Sequence, residues 1–160
     1  MILSWNFYSK RSIINLKVLV KKLHKDAIIP LYAYNSDAGC DLVAVTKNET
    51  ERYIEYGTGL AFEIDPFESQ DWYFEIFPRS SLSNYDLILC NSVGVVDNSY
   101  RGEVKFRFKK TKENGKFYEI GDRLGQMILK KRSKIEFEEV EKLTETDRND
   151  GGYGSTDKKE

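Results

Sequence analysis

Residues 87–103 read L-I-L-C-N-S-V-G-V-V-D-N-S-Y-R-G-E and contain the most distinctive pattern of apolar and polar residues in the chain. Two apolar runs flank the polar pair Asn91 and Ser92, which predicts a tight β-hairpin with two mostly buried strands. The second run ends directly on the carboxylate of Asp97, and Tyr100 follows three residues later. This amide, carboxylate and ring could together hold a flat polar ligand and a water molecule. An ordinary turn is the alternative, because Asp and Asn favour turns through their own hydrogen bonds.

Short apolar runs separated by turn residues continue through the rest of the chain. β-Branched and aromatic residues concentrate in these runs, which predicts an all-β protein. Only residues 80–85 have helical character, enough for a turn or two. Residues 46–52 are charged and lack periodicity, which predicts a loop. The other predicted strands are 14–20, 41–45, 53–56, 60–64, 72–77, 105–109, 117–120, 126–129 and 135–140.

The composition indicates one domain without an electrostatic argument for a large anionic partner. The chain has 160 residues and a net charge of -1, which argues against long nucleic acid or an anionic membrane as a partner. No apolar run approaches the ~20 residues of a membrane span. Cys40, Cys90 and the single His24 favour neither a disulfide framework nor a zinc site. We interpret both cysteines as small buried hydrophobes and expect a soluble, cytoplasmic protein, with a nuclear or viral context left open.

Four further stretches interrupt the strand pattern with polar groups. Residues 36–42 place two carboxylates around a glycine, and residues 78–82, P-R-S-S-L, could direct an Arg fork, hydroxyls and free N–H groups at a phosphate. Residues 121–126, G-D-R-L-G-Q, form a loop entering a strand. Residues 148–156, R-N-D-G-G-Y-G-S-T, combine an arginine with glycines that let the backbone wrap an anion. Taken singly, each of the four stretches has a simpler interpretation. In chain order these are a turn, a capped helix, a surface Asp–Arg pair and a disordered terminus.

In order and spacing, these stretches resemble the five motifs of the homotrimeric dUTPases. The matching segments are A-G-C-D-L, P-R-S-S-L-S, N-S-V-G-V-V-D-N-S-Y-R-G-E, G-D-R-L-G-Q and R-N-D-G-G-Y-G-S-T. The resemblance covers roughly residues 14–156. It implies a distorted jelly-roll, or β-clip, barrel with one short helix and a flexible C-terminal arm. It also implies an extension at 1–12, a β domain at 13–144 and the arm at 145–160.

The resemblance implies a dUTP diphosphatase that hydrolyses dUTP to dUMP and pyrophosphate with Mg²⁺ bound mainly through the triphosphate. Asp97 matches the family's general base, which activates a water for in-line attack on the α-phosphate. Asp41 matches the acidic residue that orders the metal's water network without being a direct metal ligand. Asn91, Gly94, Tyr100 and Tyr153 match positions that contact the base and sugar. Arg79, Ser80, Ser81, Gln126, Arg148, Ser155 and Thr156 match phosphate-binding positions.

The resemblance also implies a homotrimer whose active sites each draw motifs from three subunits, with dUTP as the ligand and no nucleic acid or membrane partner. The arm departs from the family pattern at three positions. Asn149 and Asp157 stand where glycine is common, and Tyr153 stands where Phe is usual. The changes at Asn149 and Asp157 reduce the flexibility of the backbone, so we expect them to affect closure of the arm.

Three other functions are weighed against this one. A dCTP deaminase shares the fold, but its chemistry uses a glutamate at the position that matches Arg107. A non-catalytic, nucleotide-binding regulatory trimer is a second alternative, against which the intact Asp97 argues. Single-stranded nucleic-acid binding through residues 105–109 is a third. Alternation on a strand places the basic and aromatic residues on opposite faces, so a solvated basic face over a buried aromatic face is the favoured interpretation.

Overall fold

The computed structural model describes residues 16–68 and 70–153. This part of the chain contains ten β-strands and a single 3₁₀ helix at Ser80–Asn84, which confirms the all-β prediction and the short helical turn. The strands are β1 (Val18–Lys22), β2 (Cys40–Val43), β3 (Thr46–Glu49), β4 (Ile54–Gly57), β5 (Leu60–Ile64), β6 (Trp72–Pro78), β7 (Leu87–Leu89), β8 (Gly94–Val96), β9 (Lys105–Lys110) and β10 (Arg123–Lys131). No helix in the described ranges is long and apolar enough to span a membrane.

The strands form three antiparallel sheets. The sheet orders are β1-β5, β2-β10-β6-β8 and β3-β4-β9-β7. Tyr56, Phe106, Phe108 and Tyr118 are fully buried in the hydrophobic core. The rings of Phe108 and Tyr118 lie 5.5 Å apart between centroids, within the range of favourable aromatic pairs. Two four-stranded antiparallel sheets that share such a core make a jelly-roll-like fold.

Strand β9 carries the alternation that the sequence predicted. Phe106 and Phe108 are buried, whereas Lys105, Arg107 and Lys109 are exposed. The basic side chains therefore form the solvated face of a half-buried strand, as expected from the two-residue period of side-chain direction.

The predicted hairpin within residues 87–96 is wrong in its pairing. Strand β7 pairs with β9, and β8 pairs with β6 in a different sheet. The residues between them form a turn in which the N–H of Ser92 donates to the carbonyl of Leu89 over 3.2 Å. Each run has only three paired residues, and both pair with longer strands of separate sheets instead of with one another. The segment therefore connects the two large sheets.

Several smaller predictions also need correction. Residues 46–49 form β3 rather than a loop, because backbone pairing with β4 supplies the order that their polar side chains do not predict. Residues 117–120 are not a strand, although Tyr118 is buried in the core. Residues 135–140 are not a strand either, since no described segment pairs with them, and Phe137 is 92% exposed. Cys90 is exposed and Cys40 is partly buried, so the buried interpretation is wrong for Cys90.

Candidate active site

A groove of about 530 Å³ opens beside the turn that joins β7 and β8. We call it the Asn91 groove. Four predicted site residues line it: Asn91, Gly94, Asp97 and Tyr100. Glu55, Lys105 and Arg107 line it as well. The structure thus brings together the predicted base-binding, sugar-binding and catalytic positions of residues 91–103.

Gly94 lets the turn approach β6 closely. A Cβ atom at this position would lie 3.2 Å from Nδ2 of Asn91 and 3.3 Å from Cβ of Ile76. Both distances are shorter than ordinary van der Waals contact, so any side chain here would displace the Asn91 amide or the strand beneath it. The glycine therefore leaves the Asn91 amide the space that it occupies beside β6.

The segment after Asp97 is a tight turn held by Tyr100 and Arg101. The N–H of Tyr100 donates to the carbonyl of Asp97 over 3.0 Å, and its hydroxyl donates to the carbonyl of Glu103 over 3.1 Å. Arg101 donates to the carbonyls of Asn98 and Tyr100 and forms a 2.9 Å ion pair with Glu63. The carboxylate of Asp97 has no hydrogen bond or ion pair with any described residue. An exposed carboxylate on a rigid turn is free to accept a proton from water.

A second group of polar residues forms around Asp41 at the junction of β2, β10 and the end of β6. Oδ2 of Asp41 lies 3.1 Å from Nη1 of Arg123, and Oδ1 lies 3.1 Å from Nε of Arg79. Gln126 faces Asp41 across the β2–β10 ladder. We call these four residues the Asp41 cluster. The sequence analysis did not predict Arg123 as a site residue. Its position inside the motif at 121–126 was the feature that could have indicated it.

The carboxylate of Asp41 retains acceptor capacity. Its side chain is only 17% exposed, and Oδ1 is buried without a hydrogen-bond partner among the described residues. The approach of Arg79 is therefore an ion pair without hydrogen-bond alignment, which leaves Oδ1 able to accept from a water molecule. The surface pair between residues 122 and 123 that the sequence suggested does not form, since Asp122 accepts the N–H of Glu119 over 2.7 Å.

Arg79, Ser80 and Ser81 lie where β6 passes into the 3₁₀ helix. Arg79 is the N-terminal flanking residue and has an extended backbone. Ser80 is exposed, and its carbonyl accepts the hydroxyl of Ser83 over 2.9 Å. Ser81 lies beside Tyr118. Burial raises the pKa of the Tyr118 hydroxyl, and its contact with the Ser81 hydroxyl opposes that rise. Ser81 thus contacts the core, whereas Ser80 faces solvent.

The Asp41 cluster and Asp97 lie far apart within one chain. Phe74 on β6 pairs with Val96, so Asp97 follows at the Trp72 end of the strand. Arg79 follows the opposite end, five residues beyond Phe74, which corresponds to ~16 Å at 3.3 Å per residue. No member of the Asp41 cluster lines the Asn91 groove. A single chain therefore does not bring the predicted phosphate-binding residues to the predicted catalytic carboxylate.

The described part of the arm contacts itself. The Nε–H of Arg148 donates to the carbonyl of Gly151 over 2.8 Å, and Thr146 and Asn149 exchange two hydrogen bonds of 2.9 and 3.0 Å. Asn149 has a φ of 43°, the left-handed region in which asparagine is tolerated better than most residues. Tyr153 is fully exposed. The predicted phosphate-binding residues Ser155 and Thr156, together with Asp157 and the extension at 1–12, lie outside the described residues.

Metal-binding capacity is limited to separate carboxylates. Within residues 16–68 and 70–153, no group of three His, Cys, Asp or Glu side chains is arranged to hold a metal ion. Asp41 is engaged by two arginines, and Asp97 stands alone. Any divalent cation at this site must take most of its ligands from water or from a bound polyanion.

A jelly-roll-like fold whose groove is lined by an amide, an aromatic ring and a free carboxylate is suited to binding and hydrolysing a small polar ligand. Comparison with known proteins specifies the family. The family model described as dUTPase matches residues 25–157. The deoxyuridine 5'-triphosphate nucleotidohydrolase of Helicobacter pylori (strain Shi470) is 34% identical over 146 residues, covering 88% of this chain and 97% of that protein. The enzyme of the same name from Finegoldia magna is 41% identical over 133 residues, covering 80% and 90%. The chain belongs to the dUTPase family.

Solved structures support the same fold. A mutant dUTPase of Staphylococcus bacteriophage 80alpha, solved with dUpNHpp, superposes with a TM-score of 0.73 at 20% identity over 88% of this chain and 98% of that chain. A mutant dUTPase from phage phi11 of S. aureus, studied for the coordination of a structural Mg(II) ion, gives 0.65 at 18% identity over 81% and 99%. At these identities the likeness concerns the fold alone. The predictions of family and fold class are confirmed.

Proposed function

We propose that this chain hydrolyses dUTP through a water activated by Asp97. Membership of the dUTPase family makes the chain a dUTP diphosphatase, which converts dUTP to dUMP and pyrophosphate. The observation that supports Asp97 as the base is its carboxylate, which lines the Asn91 groove and has no partner among the described residues. A carboxylate held by an ion pair would be a weaker base, whereas a free one on a fixed turn is available to water.

In this mechanism, Asp97 accepts a proton from water while the water oxygen attacks the α-phosphorus in line with the bridging oxygen. The bond between the α-phosphorus and that oxygen breaks, and pyrophosphate leaves with the electron pair. A positioned general base of this kind contributes roughly 10²- to 10⁴-fold in rate. Asn91 and Gly94 bind the uracil edge, and the ring of Tyr100 packs under the deoxyribose. Its bond to Glu103 supports this placement, because it fixes the ring beside Asp97.

The Asp41 cluster supplies the phosphate-binding charge from another copy of the chain. Arg79, Ser80, Ser81 and Gln126 bind the phosphates in this proposal. The ~16 Å separation along β6 supports sharing between copies, because the same chain cannot present both groups to one nucleotide. A closed homotrimer with three equivalent interfaces satisfies this requirement. Arg148, Ser155 and Thr156 of the arm close over the outer phosphates, and Tyr153 covers the uracil.

Mg²⁺ is the divalent cation we assign to the reaction. The residues fit a cation held chiefly by the triphosphate, since the described carboxylates form no protein cage and Mg²⁺ commonly keeps several water ligands. When bound, the ion neutralises charge that develops on the phosphates. The buried Oδ1 of Asp41, which is ion-paired with Arg79 but accepts no hydrogen bond from a described residue, accepts one from the surrounding water network. Two free cysteines also fit a reducing compartment, and we propose the cytoplasm.

Asp97→Asn tests the assignment, because the substitution removes the base and preserves the shape of the side chain. We expect pyrophosphate release from dUTP to fall by about 10²- to 10⁴-fold. The dissociation constant of a non-hydrolysable dUTP analogue should change by less than about threefold, since the contacts to base and sugar remain. Asp26→Asn, an exposed substitution remote from the groove, is the matched control. Turnover within tenfold of the wild-type rate in the Asp97 variant would rule out the assigned base.

Nucleotide specificity is measured on the wild-type chain in the same assay. Pyrophosphate should be released from dUTP and scarcely from UTP, dTTP or dCTP. Ammonia release from dCTP would instead identify a deaminase. Arg107 argues against that outcome, because a guanidinium cannot act as the acidic group that deamination requires.

A further inference from the structure

Arg107 lines the Asn91 groove next to the turn that carries Asn91. Its backbone carbonyl accepts the N–H of Cys90 over 2.9 Å, which places it beside the residue that precedes Asn91. Its side chain is on the outward face of β9 and lines the groove. Arg107 is not among the base-binding, sugar-binding and catalytic residues predicted within 91–103, so its presence beside the turn that carries Asn91 requires an explanation.

The guanidinium of Arg107 is held in a fixed plane. Glu55 pairs with Arg107 across the β4–β9 ladder, and its Oε2 accepts the Nε–H of Arg107 over 2.7 Å. The ring of Tyr53 lies 4.9 Å from the guanidinium carbon, a cation–π contact. The Glu55 side chain is 14% exposed, whereas that of Arg107 is 57% exposed. The Glu55 carboxylate that holds Arg107 is therefore shielded from solvent. The Nη hydrogens of Arg107 have no acceptor among the residues that the structure describes.

The distance between Tyr100 and Arg107 determines which part of a nucleotide meets Arg107. In the proposed function Tyr100 and Asp97 contact the sugar and the α-phosphate, and the Tyr100 hydroxyl donates to the carbonyl of Glu103. Arg107 is four residues further along, ~13 Å in an extended strand. In a pyrimidine nucleotide the sugar is attached at N1, and C4 is diametrically opposite N1 in the ring. The exocyclic group on C4 therefore points toward the Arg107 end.

We propose that Arg107 is a specificity-determining residue that donates Nη hydrogen bonds to the 4-oxo group of uracil and thereby rejects cytosine. This inference rests on the proposed function of the groove. A guanidinium has five donors and no acceptor. The 4-oxo group of uracil is an acceptor, whereas the 4-amino group of cytosine is a donor and leaves two donors facing one another. Thymine shares the 4-oxo group, so Arg107 does not distinguish uracil from thymine.

Arg107→Met tests the proposal, because methionine keeps an unbranched stem and removes the donors. Lys109→Met is the matched control, since Lys109 is the next basic residue on the same face of β9 and does not line the groove. We expect kcat/KM for dUTP to fall about 10- to 100-fold in the Arg107 variant, mainly through KM. The preference for dUTP over dCTP should fall in parallel, and the preference over dTTP should stay unchanged. The control should retain wild-type values.

A nucleotide analogue separates recognition from folding. The 2-pyrimidinone deoxynucleoside monophosphate lacks the 4-oxo group, so wild type and the Arg107 variant should bind it equally well, while only wild type prefers dUMP. Glu55→Gln keeps the donors and loosens their anchor, so its affinity for dUMP should lie between the two. An unchanged preference for dUMP over dCMP in a folded Arg107→Met chain would overturn the inference while dUTP hydrolysis stands. A wild-type chain that neither binds nor hydrolyses dUTP would overturn both proposals.

Discussion

Asp41 faces Gln126 across the β2–β10 ladder, and its carboxylate lies 3.1 Å from two arginines that belong to different elements. Arg79 comes from the end of β6, and Arg123 begins β10. The two cations would repel one another without the carboxylate between them. Asp41 therefore organises the charge that the proposed function assigns to phosphate binding.

Asp41→Asn should destabilise the fold and impair the site. The variant keeps the size of the side chain but leaves two neighbouring guanidinium groups without their shared anion. We expect a loss of about 2 kcal/mol in the free energy of unfolding, typical of hydrogen bonds to charged groups. KM for dUTP should rise as well. Urea denaturation and steady-state kinetics measure the two effects, and Asp26→Asn should stay within about 0.5 kcal/mol of wild type. Equal unfolding curves for both variants would contradict this role for Asp41.

Gly94→Ala should separate binding from stability. The added methyl group would lie 3.2 Å from Nδ2 of Asn91, so the amide must shift by a few tenths of an ångström. We expect weaker binding of dUMP by about tenfold, with a loss of no more than about 1 kcal/mol in the free energy of unfolding. Calorimetric titration measures the affinity. Gly125→Ala offers a contrast, because its Cβ would meet the Phe77 carbonyl at 2.4 Å and should chiefly destabilise the fold. Unaltered dUMP affinity in Gly94→Ala would contradict the close approach.

Substitutions at Asn149 test whether the backbone conformation of the arm matters for activity. Its positive φ suits asparagine or glycine but strains a β-branched residue. Asn149→Gly should retain activity within about threefold, whereas Asn149→Val should raise KM for dUTP by about tenfold or more. Thermal unfolding should be the same in both variants, since the hydrogen bonds of Asn149 and Arg148 lie within the arm itself. Similar KM values for the glycine and valine variants would show that this turn plays no part in arm closure.

Glu55 should give the fold a measurable dependence on pH. Its hydrogen bonds with Arg107 and then Lys105 lower the pKa of the Glu55 carboxyl in the folded chain. A lowered folded pKa stabilises the protein above the unfolded value of ~4.3, and this contribution is lost as the pH falls through the folded value. Glu55→Gln should therefore cost about 1 kcal/mol at pH 7, because the partners are partly exposed. The difference between variant and wild type should shrink below about pH 4.5.

Urea unfolding at pH 7 and at pH 3.5 measures this difference. Glu113→Gln, an exposed loop substitution, is the control and should show no change at either pH. A gap between wild type and Glu55→Gln that persists unchanged at pH 3.5 would mean that the ionised carboxylate does not contribute through these bonds.

The all-β class, the bounds of β5 and the alternation along β9 were predictable from local sequence, because side-chain burial in strands follows a two-residue period. The motif order also identified the family. The membership of β7 and β8 in different sheets is visible only in the folded chain, since strand partners depend on long-range pairing that local pattern does not specify. The same long-range geometry separated Asp97 from Arg79 along β6. It also placed Arg107 beside Asn91 and fixed it on Glu55, a contact between residues 52 positions apart in the chain.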